Sequence, residues 1–242
     1  MKLLKHLNFL KILVLSFLAS ICLSASASLT NPESGKEYQV LAQSQPTDSI
    51  GKVEVTEFFF YTCPHCNVID PYITAWVKKQ GSAISFKRIP VDFGPGQDVL
   101  KRMYFTLEAM GKLDELHARI FKAIHNDRQQ LNTEKQILNF LKRNAIDEKK
   151  YLDVSASFGI ANKMKRAQSM QADYKIDSVP TLFVDGRYMT SPALVIGANS
   201  TLTEAESAQG LLQVLDALVS KAEKNRKDTS TTKLAKDQIF KK

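Results

Sequence analysis

Two cysteines, Cys63 and Cys66, bracket Pro64 and His65 in the stretch EFFFYTCPHCNVIDP, from Glu57 to Pro71. Thiols at this spacing can serve four chemistries. A zinc or iron–sulfur centre needs about four ligands. Only His65, His117 and His125 could join the two sulfurs, and the last two fall outside the usual H-x₃₋₅-H spacing. A c-type haem requires histidine directly after the second cysteine, where this chain has Asn67. A purely structural disulfide closing so short a loop constrains the unfolded chain little. Thiol–disulfide exchange is the chemistry that the surrounding residues favour.

Proline suits the first position of a helix, because its missing N–H would be unpaired there anyway. Pro64 therefore places Cys63 at the N-cap, with its sulfur beside the free N–H groups of the first turn. A thiolate there accepts hydrogen bonds and sits at the positive end of the helix dipole, so its pKa should fall. His65 adds stabilisation when protonated or when its ring N–H donates, against the plainer reading of a solvent-exposed helix residue. Cys66, one turn further on, should be less exposed and should resolve the mixed disulfide formed at Cys63. Stabilising the reduced form makes the disulfide a stronger oxidant, so CPHC reads as a donor of disulfides.

The compartment agrees. Lys2, Lys5 and Lys11 lead into the apolar run ILVLSFLASICL, and Ala25-Ser26-Ala27 offers a cleavage site. That is the order of a secretory signal, and the run is short of the ~20 residues that span a bilayer. Ile21 stands before Cys22 where a lipoprotein signal wants a small residue. Cleavage after Ala27 leaves 215 residues and only two cysteines, which can pair with nothing but each other. Disulfides persist outside the cytosol.

The net charge of +8 does not argue for nucleic acid. The signal contributes +3 and residues 221–242 contribute +5, while residues 28–220 hold 22 charges of each sign. The body is neutral, with no basic face to argue from.

The elements that must position the cysteines can be read from periodicity. A polar lead-in holds one short strand candidate, Tyr38 to Leu41. Val53–Tyr61 reads as a strand, followed by a helix that Pro71 should kink, with Trp76 on it as packing. Ile84–Val91 reads as a second strand, ended by Gly94-Pro95-Gly96. From Asp98 to about Ile176 the pattern is helical. Leu113, Leu116, Ile120, Phe121 and Ile124 share one face, Thr133 with Gln136 makes a capping box, and Ile160, Met164 and Ala167 mark a later helix. Leu182–Val184 and Arg187–Met189 flank Asp185-Gly186, a hairpin signal. An amphipathic helix over about Thr203–Glu223 follows, and then a basic tail with too few apolar residues for a core. The fold class expected is α/β: a sheet whose two halves are separated by a helical insertion.

On these residues the chain resembles the DsbA family of bacterial periplasmic thiol:disulfide oxidoreductases. The resemblance spans nearly all of the mature protein, from EFFFYTCPHC through the helical block to SVPTLFVDGRY and the last helix. It implies a thioredoxin fold with an inserted all-helical domain. The expected divisions are a cleaved signal at 1–27, thioredoxin halves at 28–97 and 177–224, the insertion at 98–176, and a basic flexible tail at 225–242. It implies a periplasmic monomer that passes disulfides to reduced exported polypeptides and is reoxidised by a DsbB-like, quinone-linked membrane protein. No cofactor beyond the Cys63–Cys66 disulfide, no metal and no nucleic acid is expected.

The resemblance also assigns residues. Ser178-Val179-Pro180-Thr181 matches the family's cis-proline loop, which faces the disulfide. A cis bond at Pro180 leaves the Val179 backbone free to pair with an extended substrate. Glu57 matches a buried acid beneath the second cysteine that assists its proton transfer; burial would raise its pKa to suit. The segment SPALVIGANSTLTEAES is longer and more apolar than the hairpin requires, which leaves partner preference open. The rivals are a reductase or isomerase of the same superfamily and, from other classes, a chaperone-like binding module or a metal-binding protein. Isomerases of the DsbC type carry an N-terminal dimerisation domain that this lead-in is too short to supply.

Overall fold

In a computed structural model, the structure describes residues 29, 31–94 and 97–239. The signal segment, Cys22 and the cleavage site lie outside the described residues. Five strands form one mixed sheet in the order β1-β5-β4-β2-β3: β1 Tyr38–Val40, β2 Val53–Phe59, β3 Ile84–Pro90, β4 Thr181–Val184 and β5 Tyr188–Thr190. β2 and β3 run parallel, with helix α1 (Pro64–Gln80) as their crossover, and the other pairings are antiparallel. All seven residues of β2 are buried, as a strand covered on both faces must be.

Between β3 and β4 the chain makes a helical block: α2 Asp98–Ala109, α3 Leu113–His125, α4 Glu134–Arg143, α5 Glu148–Ser155 and α6 Phe158–Asp173. Leu116, Ile120 and Phe121 of the anticipated stripe are buried in α3. Thr133 and Gln136 form the reciprocal capping box of α4. This is the α/β sheet with a helical insertion that the order of elements predicts, and it fits the thioredoxin fold that the resemblance implies. Two cores flank the sheet. Val53, Val55, Leu182 and Val184 pack with Ile69, Ile73 and Trp76 of α1 and with the final helix. Phe58, Phe59, Tyr61 and Phe183 pack with the helical block instead.

Two segments depart from expectation. The stretch after the hairpin contains a helix, α7 (Pro192–Ala198), with Ser191 as N-cap and Pro192 in its first turn. The final helix, α8, runs Glu204–Ile239 rather than ending near Glu223. Just past Glu223 it makes polar contacts with the hairpin. Asn225 Nδ2 donates to the Tyr188 hydroxyl at 2.6 Å, and Arg226 pairs with Asp185 on the hairpin turn. At Asn225 and Arg226 the last helix therefore meets the β4–β5 hairpin. Gly186 in that turn has φ +61 and lies so close to the Gln45 backbone that a Cβ would meet its carbonyl oxygen at 2.2 Å. Glycine is required there on both counts.

Candidate functional site

The buried strand β2 ends at Phe59, and after four intervening residues the chain enters α1 at Pro64. Cys63 is the N-cap of that helix and Pro64 occupies its first turn. The backbone N–H of Cys66 donates to Cys63 Sγ at 3.4 Å. Hydrogen bonding from Cys66 and from the backbone of the first turn, with the charge of His65, outweighs burial and lowers the Cys63 thiol to about 6. Cys63 is half-buried, so its sulfur is reachable. Cys66 is 0 % exposed, and burial together with the neighbouring Cys63 drives its thiol far above the ordinary range. One sulfur is a thiolate at neutral pH and the other a protonated thiol. Pro71 lies inside α1, and Trp76 Nε1 donates to Asp216 Oδ1 of α8 at 2.8 Å, which fixes α1 against the last helix.

Val179 and Pro180 are joined by a cis peptide bond directly before β4. The carbonyl oxygen of Val179 lies 3.5 Å from Cys63 Sγ. The loop 178–181 and the CPHC tetrapeptide therefore meet, although Val179 lies 116 positions after Cys63. An extended peptide delivered to that loop would have its backbone beside the reactive sulfur.

Glu57 is 2 % exposed in the middle of β2. Burial raises its carboxyl to about 7, against the pull of Arg88 and with the help of Asp70's negative charge. Arg88 stands opposite Glu57 in the parallel β2–β3 register. Its Nε donates to Glu57 at 2.8 Å and its Nη2 to Asp70 Oδ1 at 3.0 Å. Two buried carboxyls share one guanidinium, and the surplus charge is relieved when Glu57 takes a proton. Glu57 also acts electrostatically on Cys66, whose ionisation it opposes.

Asp70, Arg88, His117 and Tyr61 escaped the sequence reading as a set. His117 Nδ1 accepts from the Tyr61 hydroxyl at 2.8 Å, and its Nε2 lies 3.1 Å from Asp70 Oδ1, though off the line of a full hydrogen bond. Burial lowers the His117 pKa and favours the neutral ring, which accepts from Tyr61 at Nδ1 and turns Nε2 toward Asp70 without a full hydrogen bond. His125 Nε2 donates to the Tyr61 carbonyl at 2.8 Å. The two histidines weighed as metal ligands thus clamp the residue two positions before Cys63. Among the described residues, no group of three or more metal-ligating side chains comes together. Asp70, Pro71, Phe86, Arg88, Leu113 and His117 line a groove of about 1060 Å³ beside α1. The signal for this set in the sequence was the basic pair Lys87-Arg88 between the apolar residues Phe86 and Ile89.

His65 does face solvent, but it is not unattached. Its Nδ1 lies 2.6 Å from Glu204 Oε1 at the start of α8, and that bond raises its pKa.

Residues 54–205 match the family model of the DSBA-like thioredoxin domain. The chain is 38% identical over 200 residues to the thiol:disulfide interchange protein DsbA of Burkholderia cepacia, covering 82% of this chain and 90% of that one. It is 33% identical over 217 residues to the protein of the same name from Bordetella parapertussis, covering 90% and 98%. The crystal structure of Pseudomonas aeruginosa DsbA superposes with a TM-score of 0.73 at 32% identity, covering 81% of this chain and 97% of that chain.

Proposed function

Since this chain belongs to the DsbA family of thiol:disulfide oxidoreductases, we propose that it works in the periplasm as a dithiol oxidase, donating the Cys63–Cys66 disulfide to newly exported polypeptides. A substrate thiolate attacks Cys63 Sγ and breaks the Cys63–Cys66 bond. Cys66 leaves and takes up a proton, which Glu57, with a carboxyl near 7, is placed to supply. A second substrate thiolate then attacks the substrate sulfur of the mixed disulfide, and Cys63 leaves as a thiolate. The substrate loses two electrons and the protein gains them as a dithiol. The loop at Val179 and Pro180 holds the substrate backbone beside Cys63 meanwhile. A DsbB-like, quinone-linked membrane oxidase would take the electrons on, and the protein would act as a monomer.

The observation that carries the direction is the place of Cys63 at the N-cap of α1, its sulfur bonded by the Cys66 N–H at 3.4 Å, which holds its pKa at about 6 beside a fully buried Cys66. A stable thiolate is both a good leaving group and the reason that the reduced form is favoured. Among the described residues no helix is long and apolar enough to cross a membrane, which fits a donor that meets its oxidant rather than being part of it.

The test is a stoichiometric transfer. Oxidised protein is mixed with a reduced peptide containing two cysteines, and peptide disulfide is counted against protein thiol. Two protein thiols should appear for each peptide disulfide formed, and Cys63→Ala should form no peptide disulfide. Transfer that survives Cys63→Ala would leave a binding module with incidental cysteines as the better account.

A further inference from the structure

Glu204 begins α8, 139 residues after His65, yet its carboxylate is the hydrogen-bond partner of the His65 ring. The other acid in that first turn, Glu206, is occupied by the helix's own cap, accepting from Thr203 N and Oγ1 at 2.8 and 2.7 Å. Asp177, next to the cis-proline loop, accepts from Ser178 at 2.9 Å. The charged and titratable groups that act on His65 are therefore Glu204 from α8 and Cys63 from the start of its own helix. Cys63 Sγ, for its part, is bonded by the Cys66 N–H and lies against the Val179 carbonyl.

A histidine without a partner titrates near ~6.5, inside the range where a thiolate of this kind forms and reacts. Cys63 would then gain and lose a cationic neighbour as pH varied. We propose that Glu204 is a positioning residue for disulfide exchange: by holding His65 in an ion pair, it keeps the charge beside Cys63 constant and makes the oxidising strength of the disulfide less dependent on pH. This rests on the oxidase reading above and names a residue in α8 that serves it.

The consequence of removing Glu204 changes sign with pH. In acid, His65 is a cation with or without a partner, and Glu204 partly cancels its charge. Loss of Glu204 there should strengthen thiolate stabilisation. As pH rises through the ordinary histidine range, an unpartnered His65 loses its charge before the paired one does. The imidazolium, two residues from Cys63, acts on the thiolate more directly than the carboxylate beyond it. Loss of Glu204 there should weaken the stabilisation. The pair is exposed, with 69% and 44% of the two side chains accessible, so each effect should stay within about fivefold.

The experiment is the redox equilibrium with glutathione from pH 5 to 8 for the wild-type chain and Glu204→Gln, repeated in a His65→Ser background. With His65 present, Glu204→Gln should be about two- to threefold less oxidising at the alkaline end, and the deficit should shrink to a small excess toward pH 5, where Cys63 itself takes up a proton. In the His65→Ser background the ratio should be flat with pH. A flat ratio with His65 present, or the same crossing without it, would overturn the proposal. A wild-type disulfide that fails to oxidise glutathione at any pH would overturn the oxidase reading beneath it instead.

Discussion

Cys66→Ala should stop the protein at the mixed disulfide. Given a disulfide-bonded peptide, the Cys63 thiolate attacks one sulfur and releases one peptide thiolate, and nothing remains within the protein to displace the other half. In the native chain Cys66 lies one helical turn from Cys63, with its N–H bonded to Cys63 Sγ at 3.4 Å. Its attack is unimolecular, and intramolecular nucleophiles held in place are worth effective concentrations of about 10⁵ M or more. Replacing that step by an external thiol at millimolar concentration should slow release by on the order of 10³-fold or more. The mixed disulfide should persist on a non-reducing gel and vanish in the Cys63→Ala protein. Rapid release from Cys66→Ala would mean that Cys66 is not the resolving group.

Arg88→Met should be the most damaging change to stability outside the apolar core. The guanidinium is the shared partner of Glu57 and Asp70 and also lies over the Phe86 ring, 5.0 Å from its centre. Removing one member of a buried ionic group leaves uncompensated charge, which costs about 3–5 kcal/mol. Part of that cost is avoidable, because Glu57 already has a carboxyl near 7 and can be neutral. Without Arg88 its folded pKa rises further above the ordinary carboxyl value. A carboxyl raised in the folded state destabilises the fold at high pH and has no effect once pH falls below its unfolded value. The deficit of Arg88→Met relative to the wild type should therefore widen above pH 7 and narrow toward acid. Denaturant unfolding at pH 6 and pH 8.5 measures it, and an equal deficit at both would show that Glu57 is not the group left stranded.

The chemistry of the site was legible where it is local. The sequence Cys63-Pro64 specifies an N-cap and first turn by itself, and the thiolate follows from that geometry. Ser191-Pro192 carries the same signature, and it announced α7 in a segment read only as long and apolar. The fold followed from the alternation of strand, helical block and hairpin. Pairings that depend on register or docking were not legible. Arg88 meets Glu57 because β2 and β3 are parallel in one particular register, and Glu204 meets His65 only because α8 packs on α1. The helical continuation past Glu223 was missed for a related reason. A count of apolar residues detects burial, whereas Asn225 and Arg226 dock through a hydroxyl and a carboxylate.

The central claim is that the fold favours the reduced active site. Cys63 has a folded pKa of about 6 against 9.0 ordinarily, and a depressed pKa stabilises the fold above the unfolded value. That contribution is lost as pH falls through about 6. The disulfide closes a short loop, so its own stabilisation through the unfolded chain is at the low end of the usual range. The measurement is the unfolding midpoint of the protein with Cys63–Cys66 oxidised and then reduced, at pH 7 and at pH 5. The account predicts a higher midpoint for the reduced form at pH 7 and a smaller gap at pH 5. A clearly higher midpoint for the oxidised form at pH 7 would contradict it, and a reductase-like role would then describe this chain better.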